Sequence, residues 1–326
     1  MNITVLGAGA WGTAITVHLA ARHTVTLWAR DGAQAAAMQA SRCNGRYLPG
    51  IALPPPVAVS ADVDAALRGA DLILAAMTTA GLRDTLRRIK AAGSPAPVVW
   101  LCKGFLREHA QLPHEVCAVE LPQATCGVLS GPSFAEEVAR GQPTALTLAS
   151  TDAAFAGAAA RELHGGSLRV YSSGDVIGVE VAGAVKNVMA IATGICDGLK
   201  LGLNARAALM TRGLAEISRL GVAMGGRAET FMGLAGVGDL ILTCTGDLSR
   251  NRRVGLMLAQ GKPLSDILAE LGHVAEGVYS AREVARIAAA RGINMPITDA
   301  VCRVLDAPHS AAQVARELLA RDPKSE

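Results

Sequence analysis

The sequence predicts two domains of different class: an α/β domain on a mainly parallel sheet, then an all-helical domain. Short, nearly continuous apolar runs alternate with helical patterns over the first half of the 326 residues, as strands covered on both faces do. Strand-like runs stop after about Ser173, and from Asp175 the apolar spacing is mostly helical. At 51% hydrophobic and 18% charged, a chain of this length buries cores for about two domains and is too weakly charged for disorder.

The elements follow in order. Ile3–Leu6 is a short apolar strand, "AWGTAITVHLAARH" a helix and "TVTLWAR" (24–30) a second strand, a β-α-β unit. Further strands are expected in "DLILAAM" from Asp71, "PVVWLCKG" from Pro97, "ATCGVLSG" from Ala124, "TALTLAS" from Thr144 and "LRVYS" from Leu168. "YLPGIALPPPV" from Tyr47 reads as a rigid proline-rich loop. Beyond residue 174, "ARAALMTRGLAEISRLGVAMG", "NRRVGLMLAQG", "GVYSAREVARIAAARG" and "ITDAVCRVLDA" fit helices punctuated by Gly and Pro. The boundary falls between residues 174 and 185, and the domains are set at 1–178 and 179–326.

A net charge of +3 is too small to suggest a nucleic-acid partner. Six lysines stand against 25 arginines, so each lysine merits attention. Seven cysteines form no CxxC pair and read as reduced, mostly buried thiols of a cytoplasmic protein. The N-terminus lacks a basic n-region, and no uncharged apolar stretch reaches about 18 residues, so neither a signal peptide nor a membrane span is expected. Neither metal-ligand clusters nor an HExxH pattern is evident, and no metal is expected.

"GAGAWG" places Gly7, Gly9 and Gly12 in a GxGxxG at a strand end, opening a helix and followed by a second strand. That context is what makes the hexamer specific for a dinucleotide. Gly7 permits the turn, Gly9 the close approach of backbone to pyrophosphate, and Gly12 the packing of helix on strand. The second strand ends at Arg30, with Asp31 next. Arginine there suits the 2′-phosphate of NADP. The blander reading has Asp31 capping the next helix and Arg30 stacking on adenine, so NAD and NADP both stand.

Lys103 in "CKG" follows a strand, where α/β sheets bind ligands; a surface loop lysine is the alternative. In "SGPSFAEEVARG" Gly131 ends a strand, Ser133 can cap a helix from about Phe134, and Glu136 falls at the capping-box position. Ser249 can cap the helix after it, and Arg250, Asn251, Arg252 and Arg253 follow. Cations there oppose the helix dipole, which a bound anion would explain. "GVEVAGAVKNVMAIATG" (178–194) sets Lys186 and Asn187 among small and apolar residues. Lys186 is either a lysine whose stem lies over apolar neighbours or a buried proton donor.

These pieces together resemble the bacterial NAD(P)-dependent glycerol-3-phosphate dehydrogenases. The matching landmarks are "GAGAWGTA", "CKG", "LSGPSFAEEVARGQPT", "AGAVKNVMAIATG", "GLAGVGDLILTCTG", "LSRNRRVG" and "VAEGV", in family order over nearly the whole chain. The resemblance implies a Rossmann-type cofactor domain, a helical substrate domain, and interconversion of dihydroxyacetone phosphate and sn-glycerol 3-phosphate, supplying phospholipid synthesis. It implies cofactor contacts by Trp11, Arg30, Lys103, Ala135, Arg250, Val274 and Glu276. It sets Lys103, Gly131, Ser133, Asp239, Ser249, Arg250 and Asn251 on the substrate side, makes Lys186 the proton donor and acceptor, and implies a homodimer. Asn187 either reaches substrate or cross-links helices. Ala10 stands where the family often has serine; backbone N–H groups remain there for a phosphate.

Overall fold

The computed structural model describes residues 1–106, 110–272 and 275–320. The chain divides into two compact units, residues 1–106 with 111–176, and the residues from Ile177 onward.

The first unit contains β1 (Asn2–Leu6), α1 (Ala10–Leu19), β2 (Thr24–Trp28), α2 (Gly32–Ser41), β3 (Cys43–Asn44), β4 (Leu48–Ala52), β5 (Ala58–Ser60), α3 (Val63–Leu67), β6 (Leu72–Ala75), α4 (Leu82–Ala91), β7 (Val98–Trp100), α5 (Pro113–Glu120), β8 (Cys126–Ser130), α6 (Ala135–Ala139), β9 (Thr144–Ala149), α7 (Ala153–Leu163) and β10 (Leu168–Ser173). Eight strands form one sheet in the order β10-β9-β8-β7-β6-β1-β2-β5. Every neighbouring pair is parallel except β8 and β9. Consecutive strand residues face opposite sides, and Ile73, Leu74, Val98 and Val99 are all fully buried, so both faces are covered. From β1 the chain moves outward through β2 and β5, then crosses back to β6 on the other side of β1. The carboxyl ends of β1 and β6 are thus a topological switch point, where open α/β sheets bind ligands.

All seven expected strands are present. The proline-rich loop is corrected: its first half is β4, paired antiparallel with β3, and β5 follows as the sheet edge next to β2. Prolines at 54–56 separate β4 from β5 instead of excluding strands.

The second unit is helical among the described residues: α8 (Val176–Gly198), α9 (Leu203–Ala223), α10 (Ala228–Phe231), α11 (Asp239–Thr245), α12 (Arg250–Ala259), α13 (Leu264–Leu271), α14 (Glu276–Ala290), α15 (Pro296–Asp306) and α16 (Ala311–Leu319). A π-helical turn, Leu234–Gly238, leads into α11. Apolar on all sides, α8 is the core helix, buried continuously from residue 178 to 196. It is 23 residues long and apolar enough to cross a membrane, but 94% of its apolar window is buried inside the protein. Glycines bring α12 onto it at backbone distance. A Cβ on Gly194 would lie 2.1 Å from the Arg252 carbonyl oxygen, and one on Gly255 2.1 Å from that of Ile191.

Candidate active site

In the first unit the Gly-rich turn ends β1. Gly7 has φ +119° and donates its N–H to the Trp28 carbonyl at 3.0 Å. A Cβ there would lie 2.7 Å from the Ala76 carbonyl oxygen; one on Gly12 would lie 2.0 Å from that of Gly7. Gly9 differs: a Cβ on it would meet nothing within 4 Å. Gly7 and Gly12 are therefore required by the protein's own packing, whereas Gly9 faces open space, as a turn approached by a pyrophosphate must. Gly9 is the N-cap of α1 with no side-chain cap, and no acidic residue lies in the first turn. The N–H groups of Ala10, Trp11 and Gly12 begin that helix and have no intrahelical acceptor, which fits an anion.

The turn has a support that sequence reasoning missed. Buried Asn44 donates from Nδ2 to the Ala8 carbonyl (2.9 Å) and to Thr13 Oγ1 (2.8 Å), while its Oδ1 accepts the Tyr47 N–H at 3.3 Å. Gln34 Nε2 donates to the same Ala8 carbonyl at 2.8 Å. Trp11 and Ala135 pack into one small cluster with Ala14, Leu48 and Val138, which brings two of the expected cofactor residues together. Arg30 is exposed beyond β2, and Asp31 caps α2 by accepting from the Ala33 N–H at 2.9 Å.

Lys103, Gly131 and Ser133 also meet. Lys103 Nζ donates to the Gly131 carbonyl at 2.9 Å, and Ser133 Oγ donates to the same oxygen at 3.1 Å. Ser133 does not cap α6. Its hydroxyl turns back to Gly131, the N-cap is Phe134, and Glu136 pairs with Arg140 at 2.6 Å instead of closing a capping box.

In the second unit Lys186, from the middle of α8, is buried, with 5% of its surface exposed. Its Nζ donates to Asp239 Oδ1 at 2.7 Å and to Thr243 Oγ1 at 2.6 Å. Asp239 and Thr243 are four residues apart on α11 and share a face. Thr243 in turn donates to the Asp239 carbonyl at 2.6 Å. The ammonium group is therefore held inside the protein by a carboxylate and a hydroxyl, whereas a snorkelling lysine keeps its charged head in water. Thr243 was missed by sequence reasoning, although its i+4 spacing from Asp239 carried the signal. Next to it, burial pushes the Cys244 thiol up to about 12, which keeps a thiolate out of the site.

Asn187 and Asn251 form a chain between helices. Asn251 Nδ2 donates to Asn187 Oδ1 at 3.0 Å, and Asn251 Oδ1 accepts the Gly277 N–H at 3.0 Å. Asn187 thus cross-links α8 to α12; each amide nitrogen carries a second N–H. Ser249 caps α12, its Oγ accepting the Arg252 N–H at 3.2 Å. Arg250 follows with an exposed side chain. Glu276 lies near enough for its charge to act on that guanidinium. The three arginines after Ser249 are not alike. Arg252 is held by Asp197 (Nη2 to Oδ2, 2.8 Å) and Asp247 (2.9 Å), so its opposition to the helix dipole is offset by carboxylates. Val274 lies outside the described residues. Among the described residues no group of three His, Cys, Asp or Glu side chains gathers to hold a metal ion.

Comparison with known proteins bears on both units. Residues 2–156 match the family model described as NAD-dependent glycerol-3-phosphate dehydrogenase N-terminus, and residues 175–316 match its C-terminus. A protein of Dechloromonas aromatica named glycerol-3-phosphate dehydrogenase (NAD(P)+) is 61% identical over 100% of this chain and 99% of its own. One of that name from Methylibium petroleiphilum is 60% identical, over 100% and 98%. The crystal structure of glycerol-3-phosphate dehydrogenase from Coxiella burnetii superposes with a TM-score of 0.94 at 44% identity, covering 98% of this chain and 99% of that one. With both domain models matched in order and relatives this similar over their whole length, the chain belongs to the NAD-dependent glycerol-3-phosphate dehydrogenase family.

Proposed function

We propose that this chain catalyses the NAD(P)-dependent interconversion of dihydroxyacetone phosphate and sn-glycerol 3-phosphate, working toward glycerol 3-phosphate as a precursor of phospholipids. The observation that carries the chemistry is the buried Lys186–Asp239–Thr243 constellation. NAD(P)H, when bound, supplies the hydride. Residues 1–178 bind that cofactor: the turn Gly7, Gly9, Ala10, Trp11 and Gly12 holds the pyrophosphate on α1's N-terminal N–H groups, and Arg30 reads the adenosine end. The helical domain, 179–326, binds the phosphorylated substrate.

As the ketone gains a hydride, its oxygen becomes an alkoxide. Lys186 gives that oxygen a proton from Nζ and takes it back in the oxidative direction. Asp239 fixes the ammonium by charge, and Thr243 limits its rotation, so little reorganisation is needed as charge develops. Ser249, Arg250 and Asn251 at the start of α12 bind the phosphate, with Asn187 orienting Asn251. Binding energy from that non-reacting end places the carbonyl carbon. Lys103, Gly131 and Ser133 are the ligand contacts of the first domain, where Ala135 contacts the cofactor; for the second domain the family resemblance assigns cofactor contacts to Arg250, Val274 and Glu276.

The reading is tested by following NADH and NADPH absorbance with dihydroxyacetone phosphate, 6-phosphogluconate and 2-keto acids. Turnover confined to dihydroxyacetone phosphate supports it. Folded, cofactor-binding protein that leaves that substrate untouched sinks it. We also read the enzyme as a cytoplasmic homodimer; light scattering giving the mass of one chain contradicts the dimer.

A further inference from the structure

Two thiols of the first unit face each other away from the residues assigned to ligands. Cys117 lies on α5 and is buried, Cys126 opens β8 and is half-buried, and their sulfur atoms are 2.6 Å apart. A sulfur–sulfur bond is about 2.05 Å long, so little motion separates this contact from a covalent link. Cys126 Sγ also lies 3.3 Å from the Ala124 carbonyl, and Ser150 Oγ donates to the Cys126 carbonyl at 2.6 Å, which holds the start of β8 in place. The hydrogen bond between the two sulfurs, in which either can donate, holds the Cys126 thiol below its ordinary value. Burial does the reverse at Cys196, Cys244 and Cys302. Among these four thiols Cys126 is the one shifted toward the reactive thiolate form.

We propose that Cys117 and Cys126 form a reversible dithiol–disulfide site oxidised by small hydroperoxides. The Cys126 thiolate attacks an oxygen of hydrogen peroxide. The S–O bond forms, the O–O bond breaks, and the departing hydroxide takes a proton to become water. Cys117 Sγ then attacks the Cys126 sulfur. The S–S bond forms, the S–O bond breaks, and the hydroxide leaves with the Cys117 proton as a second water. Two thiols lose two hydrogens, and one peroxide is reduced to two waters. Attack by an external dithiol reverses the link. The bond would close a short loop between α5 and the amino end of β8, whereas Lys103 and Ser133 bond at Gly131, just past its carboxyl end. The expected consequence is a more stable first domain with the ligand residues unmoved.

The test uses full-length protein. After hydrogen peroxide treatment, free thiols are blocked with iodoacetamide and the protein is digested with trypsin without reduction. The tryptic peptide from Glu108 to Arg140 contains both cysteines and no third. The proposal expects that peptide two hydrogens lighter and unalkylated, restored by dithiothreitol. It also expects a Tm rise of roughly 5 °C that dithiothreitol removes. In Cys117→Ser, dimedone should trap the sulfenic acid at Cys126. Recovery of the wild-type peptide with two alkyl groups, or with sulfinic acid at Cys126 and an alkylated Cys117, overturns it. The wild-type readout needs no variant to fold.

Discussion

Lys186 and Asp239, 53 residues apart in sequence, form a buried ion pair with 2.7 Å between Nζ and Oδ1. Neither residue is more than a few per cent exposed. Such a pair stabilises little beyond an apolar replacement, yet removing one partner strands the other's charge and costs about 3–5 kcal/mol. Its placement is better explained by chemistry than by stability. Asp239→Asn keeps the shape and removes the charge. The expected result is a fall in kcat of about 10²-fold with KM for the cofactor unchanged, and steady-state kinetics against both substrates measure it. Unchanged kcat in a folded variant would separate the pair from catalysis.

The glycines of the GxGxxG make different demands. Gly12 faces the Gly7 carbonyl at 2.0 Å from its would-be Cβ, while Gly9 faces nothing. Gly9→Ala should keep Tm within about 1 °C of wild type, because its φ of −79° suits alanine, and should weaken NADPH binding about tenfold or more. Gly12→Ala should lower stability by about 2 kcal/mol or more through backbone overpacking. Thermal melts and fluorescence titration distinguish the two. A Gly9→Ala protein with unchanged cofactor affinity would mean that the turn holds no pyrophosphate.

Asn44 acts at one remove, through the Ala8 carbonyl and Thr13. Asn44→Ala takes a donor from buried Thr13 Oγ1 and the acceptor from the Tyr47 N–H, and leaves the Ala8 carbonyl to Gln34 alone, a cost of about 1–3 kcal/mol. The cofactor KM should rise about tenfold while kcat with saturating cofactor stays within about twofold. A purely structural role would lower Tm and leave the cofactor KM where it was.

Glu216 on α9 accepts the Ile297 N–H (2.7 Å) and the Thr298 N–H (3.3 Å) at the start of α15. Burial pushes its carboxyl from 4.5 up to about 7, against the lowering effect of those hydrogen bonds. The folded value lies above the unfolded one, so the contribution to stability is fully present below about pH 4.5. It is lost as pH rises toward 7, a loss of about 3 kcal/mol. Urea denaturation from pH 4.5 to 8 should show that decline in the wild type and a flatter profile in Glu216→Gln. Parallel profiles would rule out Glu216 as its source.

The order of strands and helices was legible because continuous apolar runs and helical periodicity are local signals. The β3–β4 hairpin was not, because Pro49 and the prolines at 54–56 mask it and its two-residue partner strand carries no pattern. Lys186 stood out because an ammonium group is costly among small apolar residues, and Asp239 for the same reason. Thr243 did not, since a threonine on an apolar helix is unremarkable until its hydroxyl is found 2.6 Å from Lys186 Nζ. Arg252 looked like its neighbours, and its ties to Asp197 depend on the close contact of α8 and α12 that Gly194 and Gly255 permit. Ser133 had the right residue type for a cap, but its hydroxyl donates to the Gly131 carbonyl and the N-cap falls one residue later, at Phe134.

The proton role of Lys186 is tested most directly by the Lys186→Ala variant, with NADPH affinity and the rate of dihydroxyacetone phosphate reduction measured on the same folded sample. The account predicts cofactor affinity within about twofold of wild type and a rate lowered by about 10²–10⁴-fold, the range contributed by a positioned acid–base group. Reduction at a rate within about threefold of wild type would contradict it.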